Sequence, residues 1–300
     1  MKSKANGILM IGGMVVAWSI YYAISKVIVG ATGSAFLAGF LLRSAAFVFL
    51  TIQLIAEGSL SMVFKQGKAV WFLILIGIFG FTQDICANLG YAGGNLSTGT
   101  ALLKTDILMT NLVSVIIYRK KLFASDWAGT FIMLFGVLLV LGVDFKAMSF
   151  NWSDLFFILS AAALTANAFV VKAAQEKHGV TSSMASYYNN FIVMSCSLTG
   201  AAVGGAIQPA NFGTISGFWP LVLLGGLAQT GIYFFYYNNL KNYEVWVVKL
   251  YLLLMPILSC FIGIFFLGET LTLLKILGIF IVLAGAAIIL LRGKINHITD

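Results

Sequence analysis

Residues 243–291 hold two apolar runs joined by a GETLT turn, and the same arrangement occurs earlier at residues 95–141. Each run is close to the ~20 residues that an α-helix needs to cross a bilayer core. Sliding the chain by 149 positions lays Gly129 on Gly278, Gly136 on Gly285 and Lys120 on Glu269. The turn of the first copy carries Arg119, Lys120 and Lys121 where the second has a lone acid. Membrane proteins hold cationic loops on the cytoplasmic side, so the two turns are expected on opposite faces. Copies of one unit that enter the membrane from opposite sides form an inverted repeat, which points to transport.

The repeat runs through both halves. Residues 7–26 align without gaps on 153–172, and 71–81 align on 219–229 with Gly77 on Gly225. Arg43 then falls opposite Asn190. Composition agrees: 60% of residues are hydrophobic and 9% charged, against about 25% charged in a soluble domain. The formal net charge of +8 comes from basic residues in short loops, not from a patch or arm, so nucleic acid is not the partner.

Ten spans are predicted, at 6–29, 33–56, 70–92, 95–118, 124–144, 152–173, 183–206, 217–240, 243–266 and 272–291. The first follows Lys2 and Lys4, but it is too long for a signal peptide and lacks a cleavage site, so it reads as a retained helix. The loops leave no room for a soluble catalytic domain. With both termini cytoplasmic, twelve Lys and Arg residues fall on that side and only Lys26, Lys146 and Lys275 on the other, a strong orientation signal. The expectation is an all-α membrane protein, multi-pass in a bacterial-type inner (plasma) membrane. Its ten transmembrane helices form two inverted five-helix repeats, residues 1–147 and 148–300, linked near 145–151.

The run containing Pro256, the LGE turn at 267–269, the Gly278/Gly285 run and the small-residue stretch 91–103 together resemble the drug/metabolite transporter superfamily, EamA type. The resemblance covers the whole chain. It implies two five-helix units and a metabolite exporter, often of amino acids and related compounds. The first half departs from the pattern, with no proline at Ile107 and Lys120 in place of the acid. Glu269 is accordingly read as a turn residue.

Five charges fall toward the bilayer centre, away from the span ends: Arg43, Asp84, Lys104, Asp106 and Lys249. Each costs about 2.5–3.5 kcal/mol or more near the bilayer centre unless partnered or wet. Three are basic and two acidic, so one positive charge is left over, which a substrate carboxylate, chloride, lipid phosphate or a deprotonated lysine would account for. Helical spacing groups Asp84 with Asn88 and Tyr91, Trp18 with Tyr22 and Ser25, Gln229 with Tyr233 and Tyr236, and Ser160 with Asn167. Lipid does not reward such stripes, so they are expected to face inward. Trp18, Tyr22, Asp84, Asn88, Lys104, Asn167, Tyr233 and Lys249 are the candidate substrate-binding residues, and Arg43 with Asp106 a candidate structural ion pair. Lys104 and Asp106 point about 200° apart on an ideal helix, so one should face the cavity and the other a neighbour. Asp84 is the candidate for substrate ammonium or a coupling proton, the alternative being a salt bridge to Lys104 or Lys249. The clusters Asn189/Asn190 and Asn238/Asn239 read as gate or interfacial residues. Either glycine pair could mediate internal packing or a homodimer contact.

The chain carries no nucleotide-binding motif. Cys86, Cys196 and Cys260 lie singly, and neither histidine falls in a span, so no metal or cofactor site is expected and an intramembrane enzyme is disfavoured. The leading expectation is a secondary transporter working by alternating access on a small amphipathic metabolite, an amino acid or related zwitterion, in the export direction. A quaternary amine or nucleoside-type substrate is the alternative within transport. A non-transporting sensor or assembly subunit is the alternative of another class.

Overall fold

The structure is a computed structural model that describes residues 2–93, 102–119, 121–140, 152–207, 216–255, 257–258, 261 and 272–296. The linker at 145–151, Pro256, Glu269, Lys120, Cys260, His297 and the Tyr91 side chain lie outside the described residues. Ten α-helices are described: α1 Lys2–Thr32, α2 Ala35–Ala56, α3 Val70–Gly93, α4 Asp106–Ile116, α5 Ala124–Val140, α6 Trp152–His178, α7 Ser182–Val203, α8 Trp219–Asn242, α9 Val245–Leu252 and α10 Leu273–Asn296. Among the described residues there is no strand.

Among the described residues, five segments are long and apolar enough to cross a membrane: Leu9–Thr32, Ala35–Ala56, Gly67–Gly90, Asp154–His178 and Ser216–Asn242. Large apolar side chains such as Ile52, Trp71, Phe131, Phe135 and Leu227 stand exposed on the outside, a surface suited to lipid rather than water. α7 is not among the five. Its polar residues Ser186, Asn189, Asn190 and Ser197 are instead buried in the bundle.

Helix pairing follows the repeat. α1 packs along α8 and α3 along α6, each the counterpart of the other. α2 meets α7, α4 meets α9 and α5 meets α10, so each of these helices contacts its own counterpart across a pseudo-twofold axis. The α5–α10 contact is reciprocal in detail. A Cβ on Gly136 would lie 2.7 Å from the Val282 nitrogen and 2.9 Å from the Gly278 carbonyl. One on Gly285 would lie 2.9 Å from both the Gly129 carbonyl and the Met133 nitrogen. Val282 is the repeat counterpart of Met133. The glycine faces are therefore consumed by packing within the chain, where backbones approach too closely for any side chain.

Two spans expected as continuous helices are broken. α4 is preceded by a turn at Lys104–Thr105, and α9 ends in a turn at Leu253–Leu254. Those positions are repeat counterparts, and so are their hydrogen bonds. The Thr105 amide donates to the Leu102 carbonyl at 3.0 Å and the Leu254 amide to the Tyr251 carbonyl at 3.1 Å, both in the tighter i to i−3 pattern. In the second half Pro256 follows, which has no amide hydrogen to give. In the first half Ile107 replaces that proline and the break persists. There the Thr105 hydroxyl donates to the Leu102 carbonyl at 2.6 Å, competing with the regular helical pattern.

Candidate functional site

The pseudo-twofold axis runs through a cavity between α1, α2, α3, α6, α7 and α8. Three counterpart pairs line it: Trp18 with Leu164, Tyr21 with Asn167, and Asp84 with Ile232. Symmetry in backbone thus becomes asymmetry in chemistry, because each first-repeat residue is the larger or more polar member. Tyr22, Gln229, Tyr233, Tyr236 and Tyr237 complete most of the wall. The cavity measures about 30 Å³, room for a water or two rather than a metabolite.

Arg43 organises this wall. It is 4% exposed, and its Nη2 donates to Asp84 Oδ1 at 2.8 Å while Nη1 donates to the Tyr233 hydroxyl at 2.7 Å. The guanidinium carbon also stands 5.5 Å from the Tyr21 ring centre and 5.7 Å from that of Tyr233, within cation–π range. Asn190, the counterpart of Arg43, donates to the Arg43 backbone carbonyl at 2.9 Å. That bond ties α7 to α2 across the axis. Arg43 Nε is buried and has no hydrogen-bond partner among the described residues.

The Arg43–Asp106 pairing expected from charge balance is overturned. α2 lies beside α3, which brings Asp84 to Arg43, whereas α4 crosses α9. Asp106 accordingly receives Lys249 Nζ at 2.8 Å, with both side chains nearly inaccessible. Lys249 is therefore committed to a carboxylate and does not line the cavity. Lys104 lies at the same crossing, its Nζ 3.7 Å from Met255 Sδ. Asn88 is buried one helical turn beyond Asp84 and is not part of the cavity wall. Trp18, Tyr22, Asp84, Asn167 and Tyr233 are the five expected residues that the fold brings together.

One aromatic ring separates the two charged centres. Tyr236 meets Trp18 edge-on, with centroids 5.0 Å apart, and Lys249 Nζ lies 5.6 Å from the same Tyr236 ring. Its hydroxyl is buried without a partner among the described residues. Tyr237 is the opposite case. Its hydroxyl accepts from Asn189 and donates to Asn167 Oδ1 at 3.4 Å, while Asn167 Nδ2 donates to the Ile76 carbonyl at 2.7 Å. Asn189 and Asn190, expected near a gate or membrane interface, are interior residues that buttress this wall. Gly80 gives Asn189 its place, since any Cβ there would collide with the amide. Tyr21 and Tyr237 were not among the expected residues, although Tyr21 is three residues from Trp18 and Tyr237 four from Tyr233, spacings that put both on the stripes of their own helices.

A family model, the EamA-like transporter family, matches the chain twice, over residues 5–142 and 151–291. The chain belongs to this family. It is a multi-pass membrane transporter of small metabolites, as the repeat and its motifs had indicated. One solved crystal structure aligns with 97% of this EamA-like chain and 98% of its own length, at TM-score 0.76 and 18% identity. That likeness carries the fold. No curated protein matches the sequence.

Proposed function

We propose that this transporter carries a small zwitterionic, amphipathic metabolite of the amino-acid class, in the export direction, by alternating access around the axial cavity. The Arg43–Asp84 pair inside an aromatic wall is the observation that supports it. The pair uses a single bond between Nη2 and Oδ1. Arg43 Nε remains to donate to a carboxylate, and Asp84 retains acceptor capacity for an ammonium. Trp18, Tyr233 and Tyr236 offer faces to the apolar part. A quaternary amine would use the aromatics and leave Arg43 idle, so the zwitterion is preferred.

In this conformation the cavity is too narrow for such a substrate, so binding requires the two repeats to part. The counterpart breaks in the α4 and α9 spans are suited to that motion, since discontinuous helices at matching positions of two repeats mark transporter sites. A proton carried on Asp84 would be coupled to opening its buried pair with Arg43, which makes proton exchange a second use of the same residue. The proposal keeps both termini cytoplasmic, which the loop charges support, and places the chain in a bacterial-type inner membrane.

The test is a thermal-stability screen of the purified protein against amino acids, quaternary amines, nucleosides and phosphorylated sugars, followed by flux of the hits in liposomes. A ligand of the folded state raises the melting temperature by mass action. Stabilisation confined to zwitterions, lost in Trp18→Ala and Asp84→Asn, is expected. Stabilisation by quaternary amines that survives Asp84→Asn would sink the zwitterion reading, and the absence of flux for every hit would sink transport by this chain alone.

A further inference from the structure

The crossing of the two broken spans carries a lysine that has no carboxylate partner among the described residues. Asp84 is taken by Arg43 and Asp106 by Lys249. Among the described residues no carboxylate stands within ion-pair distance of Lys104, whose Nζ meets a thioether, a weak acceptor, at 3.7 Å. We propose that Lys104 and the neighbouring Asp106–Lys249 pair form an anion site at this crossing, taking one monovalent anion: a substrate carboxylate or an inorganic ion such as chloride.

Three observations support the assignment. The break itself does not need the lysine, because the second repeat turns at the same place with Leu253 and Leu254. Lys104 is the counterpart of Leu253 and Asp106 the counterpart of Met255, so the charges are an addition to a backbone that works without them. Lys104 is half-buried and stands ~20 Å of helical rise from the Tyr118 end of its span, so a lipid phosphate at that end is beyond the length of a lysine stem. Finally, the Tyr236 ring stands between Lys249 and Trp18. The anion site is therefore next to the axial cavity but separate from it, and a substrate passing Tyr236 would reach it. The carboxylate form of the proposal rests on the transport of a carboxylate-bearing substrate, whereas the inorganic form does not.

The experiment is a melting-temperature titration with sodium chloride and with sodium acetate, replacing sodium isethionate at constant ionic strength. The wild type is compared with Lys104→Met, Lys104→Arg and Asp106→Asn. A saturable rise is expected in the wild type and in Lys104→Arg. Loss of a charged hydrogen-bond donor should weaken half-saturation by about tenfold or more in Lys104→Met. Asp106→Asn frees Lys249 and removes a negative charge, so it should tighten binding several-fold. Opposite signs for these two variants would not arise from a merely structural lysine. A response to acetate but not chloride assigns the site to a substrate carboxylate, and a response to both adds an inorganic occupant. The proposal is overturned if the wild type shows no saturable response, or if Lys104→Met keeps it. Where Lys104→Met does not fold, Asp106→Asn decides by the sign of its change. Zwitterion flux in liposomes without any anion response would remove this site and leave the transport reading standing. An anion response without flux would do the reverse.

Discussion

The first repeat holds Arg43, Asp84, Lys104 and Asp106 well away from its span ends, while the second holds Lys249 at such a depth and supplies Asn167, Asn189, Asn190, Tyr233, Tyr236 and Tyr237. Where the two copies meet through α5 and α10, they are alike to the residue, Gly136 on Gly278 and Val282 and Gly285 on Gly129 and Met133. Where they meet around the cavity they are opposites: Trp18 faces its counterpart Leu164 and Asp84 its counterpart Ile232. The difference separates two jobs. On the alternating-access proposal, packing that must survive in both orientations of the two repeats would be kept symmetric, and recognition of a single oriented ligand would be built from the asymmetry.

The largest test of that division compares Arg43 with its counterpart Asn190. Arg43→Met leaves Asp84 buried and unpaired, which should cost about 3–5 kcal/mol. Asn190→Ala removes a bond to a backbone carbonyl and should cost about 1–3 kcal/mol. Melting curves in one detergent measure both. Equal losses would mean that the cavity wall is symmetric in energy, whatever its residues. Arg43→Met combined with Asp84→Asn should recover much of the loss, and additive losses would show that the pair is not the interaction at stake.

The symmetric contact makes the converse prediction. Gly136→Leu and Gly285→Leu each drive a side chain into the facing backbone, and overpacking of this kind costs about 1–3 kcal/mol or more. The two are expected to agree within about 1 kcal/mol, since their surroundings are related by the repeat. A large gap in melting temperature would show that the α5–α10 contact is symmetric in outline only.

The repeat itself was legible because glycine spacing, loop charge and span length are all one-dimensional signals. The family and fold followed from them. The cavity was half legible: polar stripes on α1, α3 and α8 revealed Trp18, Tyr22, Asp84 and Tyr233, because each helix shows its inward face through its own periodicity. The pairing of charges was not legible. Asp84 and Asp106 are equally plausible partners for Arg43 until helix neighbours are known, and only the α2–α3 and α4–α9 contacts decide between them. The break at Lys104–Thr105 was hidden for a related reason. Ile107 stands where the second half has Pro256, and the signal that remains, the Thr105 hydroxyl on its own turn, is a common feature of intact helices too.

A smaller effect is expected from Trp18 and its counterpart. Trp18→Leu makes the cavity symmetric at this position and removes the edge-on contact to Tyr236. The half-saturating concentration of a zwitterion hit should rise about tenfold, the scale of one aromatic contact. Leu164→Ala should leave it within about threefold, because a lone aliphatic group in the wall offers no oriented contact. Ligand-dependent melting shifts measure both, and a larger effect for Leu164 would place the apolar part of the substrate on the second repeat.

The smallest effect separates two adjacent tyrosines of α8. The Tyr237 hydroxyl is bonded to Asn189 and Asn167, so Tyr237→Phe should cost about 1 kcal/mol and leave the amides with one partner fewer. The Tyr236 hydroxyl is buried with no partner among the described residues. A buried hydroxyl left unbonded is itself unfavourable, so Tyr236→Phe should be neutral or slightly stabilising in the melting curve. If the hydroxyl is held there for substrate, the same variant will bind the zwitterion more weakly while being no less stable. Weaker binding at unchanged or higher stability is the mark of a group kept for a ligand. Unchanged binding would assign Tyr236 to its ring alone, as the partition between Trp18 and Lys249.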